Sequence, residues 1–178
     1  MSDKQSILVW DIPTRVFHWL LVICFAGAWL TSESERLQMI HYAFGYSACA
    51  LVLFRLVWGV VGTRYARFTQ FLKGPVEIMK HTKGLLSSHA HSTVGHNPIG
   101  ALSVFALLFS LTVQVATGLF VDDEITFQGP LSKYVPNAVV SFLSEIHEGN
   151  QVVIYTLLTI HIAAIWYYKK FKGEDLIR

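Results

Sequence analysis

The chain has 178 residues, of which 53% are apolar and only 15% are charged, and its mean hydropathy is +0.45. Soluble domains carry about 25% charged residues, so this composition excludes an ordinary cytosolic globule and a disordered chain. Two cysteines are too few for a disulfide-stapled fold, and a net charge of +2 provides no basic surface for nucleic acid. The composition therefore predicts a protein that lies in the lipid bilayer.

Four apolar stretches are about as long as a bilayer crossing, which takes roughly 17–25 helical residues. None of them alternates with the period of a strand, and backbone groups in lipid must otherwise be satisfied within a helix. We therefore predict an all-α, integral membrane four-helix bundle that forms a single domain over residues 1–178. The predicted transmembrane helices span residues 13–32, 38–62, 98–121 and 147–169.

The first apolar run is also compatible with a cleavable signal sequence. Lys4 precedes the run, and Ala26-Gly27-Ala28 has the small-residue pattern of a cleavage site. However, Asp3 and Asp11 also precede the run, and apolar residues continue past the candidate site through Leu30. The run is therefore predicted to be a retained transmembrane helix.

Basic residues are divided unequally between the two sides of the predicted bundle. With four crossings, the N-terminal segment, residues 63–98 and the C-terminal tail lie on one side and carry eleven Lys and Arg residues, against two on the other side. Cytoplasmic connections carry the excess of basic residues, so both termini are predicted to face the cytoplasm of a bacterial inner-membrane, multi-pass protein. The outer connections are acidic instead and contain Glu33, Glu35, Asp122, Asp123, Glu124, Glu145 and Glu148.

The cytoplasmic segment between the second and third helices has its own apolar pattern. Phe68, Phe71 and Leu72 share a helical face close to Arg64 and Arg67. This pattern favours a short interfacial helical segment that lies on the membrane surface, and a connecting loop is the alternative.

Four histidines lie in or at the predicted helices, where ionisable residues are functional-site candidates because burying them is unfavourable. His18 lies near the cytoplasmic end of the first helix and His41 near the outer end of the second. His147 starts the fourth helix at its outer end, and His161 follows 14 residues later. Fourteen residues rise about 21 Å and return to within about 40° of the same helix face. We therefore predict two facing pairs at two depths, His18 with His161 and His41 with His147.

Two facing imidazoles in a dry helical bundle favour a haem, because its iron takes two axial ligands and its ring buries a large apolar surface. The two pairs therefore predict two haem groups stacked across the membrane. Gly45, one turn after His41, and Gly118 would let a flat cofactor approach the helix backbone, although small residues also serve ordinary helix packing.

Arg55 interrupts the second apolar run. It follows His41 by 14 residues, so it shares the face of that histidine about 21 Å deeper, near the cytoplasmic haem. A haem propionate would give Arg55 a charge-assisted, bidentate partner. Extension of the side chain to the membrane surface is the alternative.

A second group of histidines lies in the cytoplasmic segment and comprises His81, His89, His91 and His96. No cysteine is near them and carboxylates are sparse, so a transition-metal site is not favoured. They are predicted to be solvated loop residues, with a proton-relay role at a quinone site as the alternative.

Longer motifs resemble one known family. The opening Val9-Trp10-Asp11-Ile12-Pro13-Thr14-Arg15-Val16-Phe17-His18-Trp19 is similar to the first-helix signature of bacterial di-haem membrane cytochromes b. That group includes the cytochrome b-561 type and the cytochrome b subunits of nickel-iron hydrogenases. The resemblance covers almost the whole chain and includes His41 with Gly45-Tyr46, residues 54–59 and 62–68, Gly95-His96-Asn97-Pro98, and His147 with His161.

The resemblance implies a four-helix bundle that binds two b-type haems through bis-histidine ligation. Carried over residue by residue, His18 and His161 ligate the cytoplasmic haem, and His41 and His147 ligate the outer one. The chain ends soon after the predicted fourth helix, whereas hydrogenase-type subunits often carry a further helix, so the cytochrome b-561 type is favoured. Its partners would be c-type cytochromes or other small periplasmic redox partners, and a homodimer is a candidate assembly.

The leading hypothesis is transmembrane electron transfer between a membrane quinone, ubiquinone or menaquinone, and a periplasmic partner. The protein would then act as a quinone oxidoreductase without performing covalent chemistry itself. One alternative is a histidine-lined metal or proton transporter, although such pathways usually contain carboxylates; another is a non-redox membrane anchor subunit. Candidate quinone residues are His96, Arg64 and Arg67 on the cytoplasmic side and Gln114 and Thr117 within the membrane.

Overall fold

The structure is a computed structural model and describes residues 11–64, 66–71, 98–122 and 128–172. These residues are mostly helical, and the only β-pairing among them is an isolated bridge between Asp122 and Gln128. The chain divides into two compact units, Met1–Ala101 and Leu102–Arg178. Each unit is described by itself.

The first unit contains the helices α1 (Ile12–Thr31), α2 (Gln38–Val61) and α3 (Phe68–Phe71), with a 3₁₀ turn at Glu35–Leu37 before α2. Helix α1 begins at Ile12 because the Asp11 carboxylate accepts a hydrogen bond of 2.9 Å from the backbone N–H of Thr14. The proline in the first turn, Pro13, has no N–H, so one donor fewer needs a partner there. Helices α1 and α2 are antiparallel, since Ala28 near the end of α1 lies beside His41 near the start of α2.

Only a narrow stripe of each helix in the first unit is buried. On α2 the buried residues are Ala48, Val52, Arg55 and Gly59, whose spacing is that of one helix face, and Val52 is only 1% exposed. Most large apolar side chains of these helices are exposed, as expected where lipid is the solvent. The buried residues of α1 are Thr14, Phe17, Cys24 and Thr31.

The second unit contains α4 (Pro98–Gly118) from Leu102 onward and α5 (Asn137–Tyr167), with a 3₁₀ turn at Ser132–Tyr134 between them. Helix α5 continues directly into a π-helical turn at Tyr168–Lys172. Helices α4 and α5 are antiparallel, because Ser103 lies beside His161 and Gln114 lies beside His147. Each unit thus presents a pair of antiparallel long helices.

The prediction of an all-α protein with four transmembrane helices is confirmed. The described residues include four helical segments long and apolar enough to cross a membrane, at Ile12–Thr31, Glu35–Val61, Gly100–Gly118 and Asn137–Phe171. The fourth helix begins ten residues earlier than its predicted span, because Glu145 and Glu148 interrupt its apolar residues and the predicted span was based on the charge-free run that follows them. The cytoplasmic position of the termini and the single domain remain predictions.

The predicted interfacial segment is described only at its beginning. Helix α3 confirms helical structure there. The ring of Phe68 packs against Gly59 and the guanidinium of Arg55, so it contacts protein and not only lipid. The rest of the segment, from residue 72 to 97, lies outside the described residues, as do all four of its histidines.

Candidate functional site

His41 lies in the first turn of α2, where its ring contacts the end of α1. The Nδ1 atom of His41 lies 2.8 Å from the carbonyl oxygen of Ala28. Ala28 belongs to the last turn of α1, whose final carbonyls have no partner within the helix. Because a carbonyl oxygen can only accept a hydrogen bond, Nδ1 carries the proton and donates it. The neutral ring therefore has its lone pair on Nε2, the atom that a metal ion would bind.

His147 repeats this arrangement in the second unit. Its Nδ1 donates to the carbonyl oxygen of Gln114 at 3.0 Å and lies 3.3 Å from the Thr117 hydroxyl. Gln114 and Thr117 both lie in the last turns of α4. A Cβ atom added to Gly118 would lie 2.9 Å from Cε1 of His147, so a residue with a side chain would collide with the ring. The lone pair of this imidazole is again on Nε2.

His161 and His18 are held less firmly by the described residues. The Nδ1 atom of His161 lies 3.5 Å from the Ser103 hydroxyl on α4. His147 and His161 thus both face α4, as their 14-residue spacing predicts. His18 is exposed within the first unit, and the edge of its ring contacts Trp19 at a centroid distance of 5.5 Å. The predicted histidine pairs each join residues of different units, and they stay predictions.

Arg55 is buried, with 6% of its surface exposed, close to the C-terminal end of α2. Its Nη1 donates a hydrogen bond of 3.1 Å to the carbonyl oxygen of Ala66, and its guanidinium carbon lies 4.8 Å from the centre of the Phe68 ring. Gly59 makes room for that ring, because any Cβ there would overlap it. Arg55 therefore holds the segment after α2 against the helix. The propionate contact remains a prediction.

Asp11 joins the start of α1 to the end of α2, a role that sequence reasoning missed. Besides capping α1, its carboxylate accepts hydrogen bonds from Nε1 of Trp58 at 3.0 Å and from the Thr63 hydroxyl at 2.7 Å. Burial alone would raise the pKa of this carboxyl, but the hydrogen bonds from Thr14, Thr63 and Trp58 outweigh it, and the pKa lies below the ordinary value of 3.8. The Asp-x-Pro start of a helix signals only the cap, so the distant partners were not predictable.

Removal of this carboxylate is expected to destabilise the protein. Asp11→Ala loses the cap and the two hydrogen bonds that Oδ2 accepts from Trp58 and Thr63, and we expect a loss of about 2–3 kcal/mol in thermal or chemical unfolding in detergent. Because the folded pKa is depressed, the charge contributes stability above the unfolded pKa and loses it as pH falls through the folded value.

Asp11→Asn is the matched control, since an amide oxygen still caps the helix but carries no charge. Its NH2 group cannot accept the hydrogen bonds that Trp58 and Thr63 donate to the carboxylate, so at neutral pH this variant should keep only the cap, and it should lose the acid-dependent part of the stability. Equal stability of the wild type and both variants between pH 3 and pH 7 would contradict the role assigned to Asp11.

Polar side chains within α4 and α5 form a second feature that sequence reasoning did not assemble. The Ser110 hydroxyl donates to Oδ1 of Asn150 at 2.8 Å, and Nδ2 of Asn150 donates to Oε1 of Gln114 at 2.7 Å. The Gln114 amide in turn donates to the backbone carbonyl of His147 at 2.9 Å. Gln114 and Thr117, proposed above as quinone residues, are thus engaged with His147. We call Ser110, Gln114 and Asn150 the amide cluster.

Comparison with known proteins agrees with these features. The chain matches the family described as prokaryotic cytochrome b561 over residues 9–178. It belongs to that family. The predicted resemblance is therefore confirmed, and the chain is a multi-pass bacterial membrane protein.

Curated relatives of this cytochrome are described as cytochrome subunits. A probable Ni/Fe-hydrogenase 1 B-type cytochrome subunit of Escherichia coli (strain K12) is 26% identical over 69% of this chain and 63% of its own length. Probable Ni/Fe-hydrogenase B-type cytochrome subunits of Rhizobium leguminosarum bv. viciae and Azotobacter chroococcum mcd 1 are 25% and 22% identical, over 61% and 92% of this chain and 56% and 82% of their own lengths. The chain thus spans less than two thirds of the Escherichia coli and Rhizobium relatives. No solved structure matches it significantly.

The family implies haem b, and the described histidines suit that group. At His41 and His147 the Nδ1 atom faces a carbonyl oxygen, which orients the ring and leaves Nε2 as the ligand atom. A Cβ atom added to Gly45 would meet no described atom within 4 Å, so one turn beyond His41 the backbone of α2 is open to a flat ring. Among the described residues no group of three or more His, Cys, Asp or Glu could hold a bare metal ion.

Proposed function

We propose that this cytochrome transfers electrons across the bacterial inner membrane through two b-type haems, between a membrane quinone and a periplasmic redox partner. The observation that carries the proposal is the shared geometry of His41 and His147. In each, Nδ1 donates to a carbonyl at the end of the preceding helix, at 2.8 and 3.0 Å. A hydrogen bond of this kind fixes the tautomer and raises the basicity of the ligand nitrogen.

We propose His18 and His161 as the axial ligands of the cytoplasmic haem, and His41 and His147 as those of the outer haem. Support for this pairing comes from depth along the helices. His41 lies in the first turn of α2 and His147 lies beside the last turns of α4, two helix ends that the predicted topology places outside, and His161 lies 14 residues beyond His147. Bis-histidine ligation leaves no open position on the iron, which suits electron transfer better than binding of a small substrate.

When bound, haem b supplies one-electron redox chemistry. The chain itself orients the imidazoles, excludes water from their surroundings and neutralises charge. Arg55 is proposed to balance a propionate of the cytoplasmic haem, since a buried guanidinium offers planar donors to a carboxylate. Ubiquinone or menaquinone would exchange electrons with the haems, and the proton transfer of quinone chemistry would take place at the quinone.

Two classes of redox partner are open to this cytochrome. The acidic outer connections favour a basic periplasmic protein such as a c-type cytochrome, because opposite charges raise the rate of encounter. The curated relatives are described as probable Ni/Fe-hydrogenase subunits, which favours a hydrogenase as the partner. Identification of the protein that copurifies with this chain from its native membrane separates these candidates.

An absorption spectrum tests the proposed function directly. Purified protein reduced with dithionite should show the α-band of low-spin haem b, and a pyridine haemochrome assay should find two haems per chain. Reduced protein in vesicles should then be oxidised by an added quinone. A haem-replete preparation without the α-band would contradict the proposal and favour the transporter or the anchor subunit.

A further inference from the structure

The amide cluster lies inside a membrane-spanning unit, where polar side chains are uncommon and usually functional. Ser110 is 4% exposed, and its hydroxyl donates to Asn150 across the two helices. The Asn150 amide uses its donors on two acceptors of α4, the Ser110 carbonyl at 2.9 Å and Oε1 of Gln114 at 2.7 Å. The cluster is thus a series of hydrogen bonds in which each member orients the next.

This series ends on His147. Gln114 holds that residue at two points, since its side-chain amide donates to the His147 carbonyl at 2.9 Å and its own carbonyl accepts from His147 Nδ1 at 3.0 Å. The first bond holds the backbone of α5, and the second holds the imidazole ring. Gly118 makes room for the Cε1 side of the ring, because a Cβ atom there would lie 2.9 Å from Cε1. The ring plane of His147 is therefore determined by α4.

Helix packing by itself does not account for this arrangement. Polar side chains commonly join helices in membranes, and a pair such as Ser110 and Asn150 would be sufficient for that purpose. Gln114 extends the series to the one residue of this region that is a candidate metal ligand. Two of the hydrogen bonds of Gln114 reach His147, and a third joins it to Asn150.

We infer that the side chains of Gln114 and Asn150 are positioning groups that hold the backbone of α5 at His147, so that its Nδ1–H meets the main-chain carbonyl of Gln114 and its ring plane is fixed for axial ligation of the outer haem. The inference rests on the proposed function, because it assumes that His147 is a ligand. Residues that hold a ligand in this way typically change metal affinity about 10- to 100-fold when they are replaced. Neither residue touches the cofactor itself in this proposal.

Two variants of similar shape test the inference, Gln114→Met and Asn150→Leu. Thr112→Val is the matched control, because the Thr112 hydroxyl donates only to Leu108 within α4, at 2.7 Å. The readouts are the electron paramagnetic resonance g-values of each oxidised haem, which depend on the angle between the two imidazole planes, and the rate at which haem is lost to excess apomyoglobin.

Both variants should shift the g-values of the haem that is lost in His147→Ala and accelerate the loss of that haem by about 10- to 100-fold. Thr112→Val should leave both readouts unchanged. The double variant should resemble the single ones, because the two residues act in one series and their effects are not additive. In each variant, retention of the other haem shows that the protein has folded. If Gln114→Met binds no haem at all, the inference is tested with Asn150→Leu alone.

Unchanged g-values and haem loss in the folded variants would overturn the inference while leaving the proposed function standing, provided that His147→Ala loses one haem. Retention of both haems by His147→Ala would instead overturn the ligand assignment on which the inference rests. A shift of equal size in Thr112→Val would also overturn it, since any polar change in α4 would then have the same effect.

Discussion

His41→Ala and His147→Ala should each retain one haem per chain, and the retained haem should have the same midpoint potential in both variants. An iron that loses one of two axial imidazoles binds weakly, whereas the other haem keeps its ligands at a depth about 21 Å away. His18→Ala and His161→Ala should together define the complementary haem. Haem content by pyridine haemochrome and redox titration of each variant provide the measurement.

His81→Ala is a control for this series, because His81 lies outside the predicted spans and should be dispensable for haem binding. Added imidazole should restore the missing haem in part, since a small ligand can enter the space left by the ring. Loss of both haems in one variant would indicate that assembly of the protein depends on haem, because cofactor binding stabilises the native state. A shared phenotype of His18→Ala and His147→Ala would contradict the pairing.

Arg55→Leu should affect both the stability of the first unit and the potential of one haem. The substitution leaves the Ala66 carbonyl without its donor and removes the cation from the Phe68 ring, and an unsatisfied buried carbonyl costs about 1–3 kcal/mol. It also removes a positive charge that, in the proposed function, balances a haem propionate. Loss of that charge stabilises the oxidised iron, so the midpoint potential of the cytoplasmic haem should fall.

Arg55→Lys separates these two effects. The ammonium keeps the charge but lacks the planar donor geometry of the guanidinium, so the potential should stay close to that of the wild type while part of the stability is lost. Thermal unfolding and a redox titration of both haems measure the two effects independently. If Arg55→Leu retains both haems at unchanged potentials, Arg55 is a structural residue alone and the propionate contact is wrong.

The apolar runs predicted the four long helices. A bilayer crossing requires about 20 consecutive apolar residues, and its backbone N–H and C=O groups must be hydrogen-bonded within a helix. The start of α5 was less predictable. Glu145, His147 and Glu148 interrupt its apolar residues, so the charge-free run begins only at Gly149, although the helix begins at Asn137. A hydropathy pattern indicates which residues can lie in lipid. The helix is longer than that run, because its backbone hydrogen bonds do not depend on the polarity of the side chains.

The histidine faces were predictable from spacing, but their hydrogen-bond partners were not. Fourteen residues place His147 and His161 on one face of α5, and the structure has both facing α4. That the acceptor of His147 would be the Gln114 carbonyl depends on the register between two helices, and the sequence of either helix alone leaves that register open. The sequence predicted Gln114 only as a quinone candidate, which stays a prediction, and its contacts with His147 and Asn150 were not predictable.

By itself, the sequence determined the membrane class, the four helices, the family and the histidines that are candidates for haem ligation. These follow from local properties, namely apolar length, helical period and the short motifs around single residues. Tertiary structure decided what those residues contact: Asp11 reaches Trp58 and Thr63, Arg55 reaches Ala66, and Gln114 holds His147. Such contacts join positions 11 to 52 residues apart, and only the packing of one helix on another brings them together.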